Sequence, residues 1–484
     1  SGGIAAMELV SKDLKSLGRY LAYSLSYAEV SYQTLVHELT PAQVKDYDEF
    51  AEGWQRVLRN VRRALRVTHG AKSGRAKAAA YSAFWAANQR FWNQVLTSFA
   101  CTGLLPFVEK QLEKGRSAVL QIVSTGEAAT ERAVAEARAE GADLSDIDIT
   151  PRDILLQYVE SSFPTTQHEE YTDENDNVRS RPVKLPSGDV AENPEAARMR
   201  EELLLRLGAI RVPQGALDMV IGHFGPDNVA EVTGRSRRFV EKSVPENGES
   251  PTSTEAPGKN SSKKSSSRTE VIEERRPPSS READIEAFMA GEKRILIFSQ
   301  AGGTGKSYHA ALTAKNQEKR VHVVVQPGWA AHRCLQGLGR THRAAQRSAP
   351  EVVLLTTNLK AQRRFLSTVA RRLDQLGALT KGQRETASKG LISSEYNLET
   401  PLAKEALIAW FAALSRGKIE RGGRQITPAL IQEKMGLTIT DADGNFSMGQ
   451  VPSIPQFLNR LLSVETSLMN EIFESWHSYL DRAI

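Results

Sequence analysis

Four short, nearly unbroken apolar runs constrain the fold more than anything else in this chain: AVLQIVS (residues 118–124), RILIFS (294–299), RVHVVVQ (320–326) and EVVLLTT (351–357). Each has the length of a strand rather than a helix, and each is separated from the next by helix-forming sequence. Strands interleaved with helices predict a parallel sheet covered by helices on both faces. An earlier segment, YQTLVHEL from Tyr32 to Leu39, is a further strand candidate. Thr40-Pro41 then opens a helix, with threonine as N-cap and proline at the first helical position.

With 484 residues, the chain exceeds one compact core and has room for about three domains. Hydrophobic residues make up 40% and charged residues 25%, the balance of an ordinary globular protein. No run reaches the roughly 18 apolar residues of a membrane span, and the opening SGGIAAMELVSKD lacks the pattern of a signal peptide, so a cytoplasmic location is expected. Cys101 and Cys334 stand far apart, which argues against a disulfide framework or a thiolate metal cluster. A net charge of +5 agrees mildly with a polyanionic partner.

From Met7 to about Tyr27, leucines at three- and four-residue steps predict an amphipathic helix without a start signal, the mark of a fragment. Helices continue to about Gln111. Among them Phe84, Trp85, Phe91 and Trp92 beside Arg90 form an aromatic cluster, more naturally a packing core than a base-stacking surface. After the first apolar run, Thr125-Gly126-Glu127 leads into an alanine- and glutamate-rich helix. The stretch from Pro164 to Glu195 is expected to contain a loop, and Pro245 to Ser280, rich in Ser, Pro, Lys and Glu, to be disordered.

AGGTGKS, residues 301–307, looks like a phosphate loop, but the position five before Gly305 holds Gln300 where that loop requires glycine. A different frame accounts for the downstream residues as well. QGLGRTHRAAQ, Gln336 to Gln346, has the form QxxGRxxR. In a two-lobed motor, two arginines one helical turn apart can reach across the cleft to the transferring phosphate while a glutamine helps fix the nucleotide. A strand, a GGxG turn, a second strand and then QxxGRxxR is the order of motifs V and VI in the second lobe of superfamily 2 helicases. Arg340 and Arg343 are then arginine-finger candidates, Gln336 and Gly339 line the ATP cleft, and Gly302, Gly303, Thr304, Gly305, Lys306 and Ser307 contact nucleic-acid phosphates.

RILIFSQAGGTGKSYHA, AKNQEKRVHVVVQPGW, QGLGRTHRAAQ and RRFLSTVARRLDQLGALTKGQRET, with GRSAVLQIVSTGEAATERA and FGPDNVAEVTGRSRRFV, together resemble the strawberry notch helicase family in its bacterial form. The resemblance implies an α/β fold: a RecA-like parallel sheet flanked by helices, with large helical insertions and helical extensions at both ends. It divides the chain into a helical inter-lobe segment (1–112), a first part of the second lobe with a helical insertion (113–240), a disordered linker (241–282), a second part with motifs V and VI (283–390) and a C-terminal helical extension (391–484). It further implies ATP-dependent action on DNA or RNA, a role in regulation of transcription in animals, and in bacteria possible linkage to a methylase domain. ATP and Mg2+ would be bound mainly by a first lobe upstream, and without that lobe the chain is expected to be inactive. The family commonly has an acidic residue where this chain has Ala311, and nothing here resembles the first lobe, with its Walker A loop and acidic box. The alternatives are a non-enzymatic nucleic-acid-binding or transcription-regulatory adaptor, or a Walker-type ATPase using Lys306.

NVAEVTGRSRRFVEK, Asn228 to Lys242, has the form of a helix-turn-helix in which Arg235, Arg237 and Arg238 are candidates for phosphate contact or base readout, the alternative being a basic packed or solvated helix. Arg363 to Gly377 reads as an amphipathic helix with a basic outer face. DADGNFSMGQ near Asp441 is out of frame for a calcium loop and reads as a turn. His309, His322 and His342 show no ligand spacing and read as structural.

Overall fold

The computed structural model describes residues 9–10, 13–14, 16–18, 29–69, 74–123, 151–172, 178–208, 210–235, 237–245, 267–299, 305–326, 331–363, 398–441 and 443–483. Most of the helix expected over Met7–Tyr27, the alanine-rich helix after Gly126 and the basic helix from Arg363 to Gly377 lie outside the described residues.

Six strands form one all-parallel sheet: β1 (Ser31–His37), β2 (Ser117–Gln121), β5 (Val229–Val232), β8 (Ile295–Phe298), β9 (Arg320–Val324) and β10 (Glu351–Thr357), in the spatial order β1-β10-β9-β2-β8-β5. Every residue of β2, β5, β8 and β9 is buried, as the unbroken apolar runs required. One face is packed with Val321, Val323, Ile295, Ile297 and Leu120; the other carries Val119, Leu296 and Phe298 against Phe288 and Tyr308. β8 and β9 flank β2 on opposite sides, so the chain crosses over β2 between them. In open parallel sheets, the crevice outside the strands' carboxyl ends at such a reversal is where ligands bind.

Helix α1 (Pro41–Thr68) starts where the sequence places it, with a complete capping box between Thr40 and Gln43. Helix α2 (Gly74–Glu113) has 40 residues, about 60 Å at 1.5 Å per residue. Its length lets it serve two cores. Phe84, Phe91 and Trp92 lie in a large helical core, while Ala100, Leu104 and Val108 cover the sheet together with Leu217 and Val220 of α5 (Ala216–Phe224). The helical core also takes in α3 (Pro151–Ser162), α4 (Pro194–Gly208), α8 (Pro401–Ser415), α9 (Pro428–Met435), α10 (Ile454–Leu461) and α11 (Thr466–Ala483). Tyr47 Oη donates to the Leu462 carbonyl at 2.6 Å, and the Gln55 amide donates to the Lys434 and Ser463 carbonyls. The inter-lobe segment and the C-terminal extension, expected as separate regions, therefore share one core with the insertion. The aromatic cluster is interior, as the packing reading expected; only Trp85 is partly exposed, beneath the Arg460 guanidinium.

Pro164–Glu195, expected to contain a loop, also holds a hairpin, β3 (His168–Thr172) with β4 (Val178–Pro182). Two expectations are corrected. The second helix of the supposed helix-turn-helix is a strand, β6 (Arg237–Pro245), paired antiparallel with β7 (Ser267–Arg275). Both strands enter the segment expected to be disordered, as does α6 (Pro278–Ala290). Pairing between segments far apart in sequence overrode the local composition. Among the described residues no helix is long and apolar enough to cross a membrane.

Candidate functional site

The segment after β8 is described again from Gly305, whose φ of +81° is the left-handed conformation that glycine adopts without strain. Helix α7 (Ala331–Leu338) ends before the arginine pair, so Arg340 and Arg343 stand on a loop rather than on one helix as expected. Beyond Leu338 the chain meets the segment that follows β8. There the two motif segments join. Tyr308 N donates to the Arg340 carbonyl at 2.7 Å, Leu312 N to Ala345 O at 3.0 Å and Arg347 N to Ala310 O at 2.8 Å, around an antiparallel bridge between Ala311 and Gln346. Arg340 Nη1 donates to the Lys306 carbonyl at 3.0 Å.

The Arg340 guanidinium is half-buried, 5.7 Å from the centre of the Phe298 ring. Burial lowers it from its ordinary value, Tyr308 opposes that shift, and the positive charge of Arg343 adds to it. An incoming anion would relieve this field. Arg343 is exposed, with Nε donating to the Gly339 carbonyl at 3.1 Å, and Gln336 is exposed on α7. Lys306 pairs with Glu282 at 3.2 Å and is 49% exposed, so its ammonium remains reachable from solvent. Gly302, Gly303 and Thr304 lie outside the described residues. Among the described residues no group of His, Cys, Asp and Glu is arranged to hold a metal ion.

The supports of this site escaped the motif reading. His322, fully buried in β9, lies 2.7 Å from Thr341 Oγ1 through Nδ1 and 3.0 Å from Gln121 Oε1 through Nε2. Burial, with Arg340 nearby, pushes its pKa down to about 3. Gln326 Oε1 accepts from Val123 N at 2.9 Å and fastens the carboxyl ends of β2 and β9 together. A Cβ at Gly337 would stand 2.3 Å from Gln121 Oε1, so any larger residue there must displace the Gln121 amide. The available signal was polarity inside buried strands: Gln121 and His322 interrupt otherwise apolar runs.

Arg235 and Arg238 do not face outward, which corrects their assignment as nucleic-acid contacts. Both are 6% exposed. Arg235 is bidentate on Glu231, with Nε at 3.1 Å and Nη2 at 3.2 Å, and reaches Asp218 at 2.5 Å. Arg238 pairs with Glu274 at 2.7 Å. Glu231 lies on edge strand β5, whose outer backbone groups are satisfied by side chains. Glu231 N donates to Asp284 Oδ2, Arg276 donates to Glu231 O, and Lys293 to Val229 O. The arginines belong to a charged cover over a sheet edge. Of Arg237, only the backbone in β6 is described.

Residues 215–484, more than half of the chain, match the family described as the C-terminal domain on Strawberry notch homologue. Residues 1–49 match the family described as P-loop containing NTP hydrolase pore-1, contrary to the expectation that nothing here resembles the nucleotide-binding part. Rat protein strawberry notch homolog 1 is 28% identical over 98% of this chain and 41% of its own length. Protein FORGETTER 1 of Arabidopsis thaliana is 25% identical over 99% of the chain and 46% of its own. Drosophila melanogaster protein strawberry notch is 34% identical over 58% of the chain and 17% of its own. The chain thus spans less than half the length of these curated relatives. No solved structure matches it. On the family match, and with the parallel sheet and joined motif segments in place, the chain belongs to the strawberry notch family of helicase-like proteins and carries its C-terminal domain.

Proposed function

We propose that the chain supplies the second motor lobe of an ATP-dependent superfamily 2 helicase or translocase acting on DNA or RNA. The observation that carries this reading is the backbone zipper between the segment after β8 and the arginine loop, with Arg343 left open to solvent beside it. Phosphoryl transfer asks for little covalent chemistry from the protein; it needs positioned cations where charge spreads over the transferring oxygens. Arg343, aided by Arg340, would offer guanidinium groups to a phosphate held by a first lobe, with Gln336 and Gly339 at the cleft. ATP and Mg2+ would be held mainly by that lobe. Residues 302–307 would contact nucleic-acid phosphates, with Lys306 as the point charge. Since Lys306 O accepts from Arg340, displacement of this segment by a bound strand would be felt at the arginine loop.

The test uses the full-length protein. Turnover of ATP should rise with nucleic acid, and Arg343→Ala should cut kcat by about 10³-fold or more while nucleotide affinity changes little. Arg340→Ala should also lower turnover. Lys306→Ala should reduce the salt dependence of nucleic-acid binding by about one counterion. Unchanged turnover in Arg343→Ala removes the finger assignment.

A further inference from the structure

Two fully buried polar side chains on one face of β9, Arg320 and His322, reach the two motif segments separately. Arg320 opens the strand. Its Nε donates to Tyr308 O at 2.9 Å, Nη1 to Asn316 Oδ1 at 2.9 Å and Glu318 O at 2.8 Å, and Nη2 to Asn316 O at 2.9 Å. Its flat face lies 4.9 Å from the centre of the Phe288 ring. Among the described residues these partners are carbonyl and amide oxygens, spread along the segment from Tyr308 to Glu318. Two residues on, the His322 ring is hydrogen-bonded to Gln121 Oε1 through Nε2 and to the Thr341 hydroxyl through Nδ1, and that hydroxyl also donates to the Leu338 carbonyl.

The peptide groups around Tyr308 are thereby held from both sides. Tyr308 N is bonded to the arginine loop through Arg340 O, and Tyr308 O is bonded to Arg320. Taking a guanidinium wholly out of water is costly and is repaid only when its planar donors all find acceptors. A residue needed merely to fill space beside Phe288 would not require that cost. A planar cation bonded to several carbonyls at once does fix the course of a loop.

We propose that Arg320 and His322 are positioning residues that use the rigid strand β9 as a common reference, setting the segment 305–312 and the loop 340–347 in register with one another. Arg320 sets the first and His322, through Thr341, the second. The proposal rests on the motor reading for its consequence: nucleic acid bound at Gly305 to Ser307 reaches the arginine loop only while the two segments keep this register.

The experiment is hydrogen exchange on the full-length protein, together with ATP turnover with and without a single-stranded oligonucleotide, in Arg320→Gln and Arg320→Lys. Arg320→Gln should speed exchange at the Tyr308, Leu312 and Arg347 amides about tenfold or more, while the β2 and β8 amides stay protected. The ratio of stimulated to unstimulated turnover should fall by a similar factor. Arg320→Lys, which keeps the charge but not the planar fork, should fall between the two proteins. If exchange rises equally in the sheet and the loops, Arg320 is a general stabiliser and the proposal is overturned; unchanged loop exchange overturns it as well. Should the wild-type protein show no nucleic-acid stimulation, the motor reading falls, and the exchange pattern still decides whether Arg320 sets the register. If Arg320→Gln does not fold, exchange in Arg320→Lys decides by the same criterion.

Discussion

Replacing Glu231 by glutamine removes one charge from the cluster that closes the sheet edge. The carboxylate is fully buried, with Arg235 Nε at 3.1 Å, Arg238 Nη1 at 3.5 Å and Arg276 Nε at 3.6 Å. At an effective dielectric of about 20, each such pair near 4 Å is worth ~4 kcal/mol before desolvation. Removing one partner of a buried ion pair typically costs ~3–5 kcal/mol, because the remaining charges are left uncompensated. Glutamine keeps the shape and, through its remaining oxygen, the hydrogen bond from Thr233, but it turns the other oxygen into a donor facing Arg235 and Arg238, so the loss reports the charge together with those hydrogen bonds. Burial by itself raises the Glu231 pKa, but the attraction of Arg235 and Arg276 and the hydrogen bonds overcome it and leave it below the ordinary 4.5. A depressed carboxyl pKa contributes stability that is present above 4.5 and lost as pH falls through the lower folded value. Urea denaturation, read by hydrogen exchange in β5, should therefore show a gap of ~3–5 kcal/mol between wild type and Glu231→Gln at neutral pH. The gap should narrow as pH drops below 4.5. Glu274→Gln, on a carboxylate whose side chain is 36% exposed, should cost ~1 kcal/mol or less. A Glu231→Gln protein within ~1 kcal/mol of wild type at neutral pH, or a gap indifferent to pH, would refute the reasoning.

Two other perturbations probe the supports of the arginine loop. Gly337→Ala places a methyl 2.3 Å from Gln121 Oε1, an amide already engaged by His322, so thermal unfolding should reveal a loss of ~1–3 kcal/mol. An unaltered midpoint would mean that the Gln121 amide moves freely. His322 stays neutral in the fold, with its pKa lowered from 6.5 to about 3, so the unfolded chain binds the extra proton and stability should rise with pH across that interval. His322→Gln should flatten the rise; an identical pH profile in the variant would assign the slope to other groups.

The parallel sheet was legible because its physical cause is local. A strand buried on both faces must be apolar throughout, and AVLQIVS, RILIFS, RVHVVVQ and EVVLLTT carry that requirement in consecutive residues. The start of α1 was legible for the same reason, since Thr40, Pro41 and Gln43 satisfy the first backbone amides within one turn. The order of QGLGRTHR after GGTGKS put two segments side by side as one candidate site, and those segments do join through backbone bonds, although the arginines stand on a loop that the order could not disclose.

What the residues could not disclose in linear order was which charges meet. Arg235 and Arg238, two positive charges beside a glycine, look like a surface for phosphate until Asp218 and Glu274 arrive from other elements to pair with them over Glu231. The ribbon of β6 and β7 joins segments whose composition suggested disorder, and the helical core draws Trp54, Trp92, Trp410 and Trp476 from both ends of the chain. Local sequence determines strand, cap and motif, because those depend on neighbours within a turn or a run. Only tertiary structure decides whether a polar group is presented or enclosed, since the energy of a buried charge is set by partners that the chain brings together from far apart.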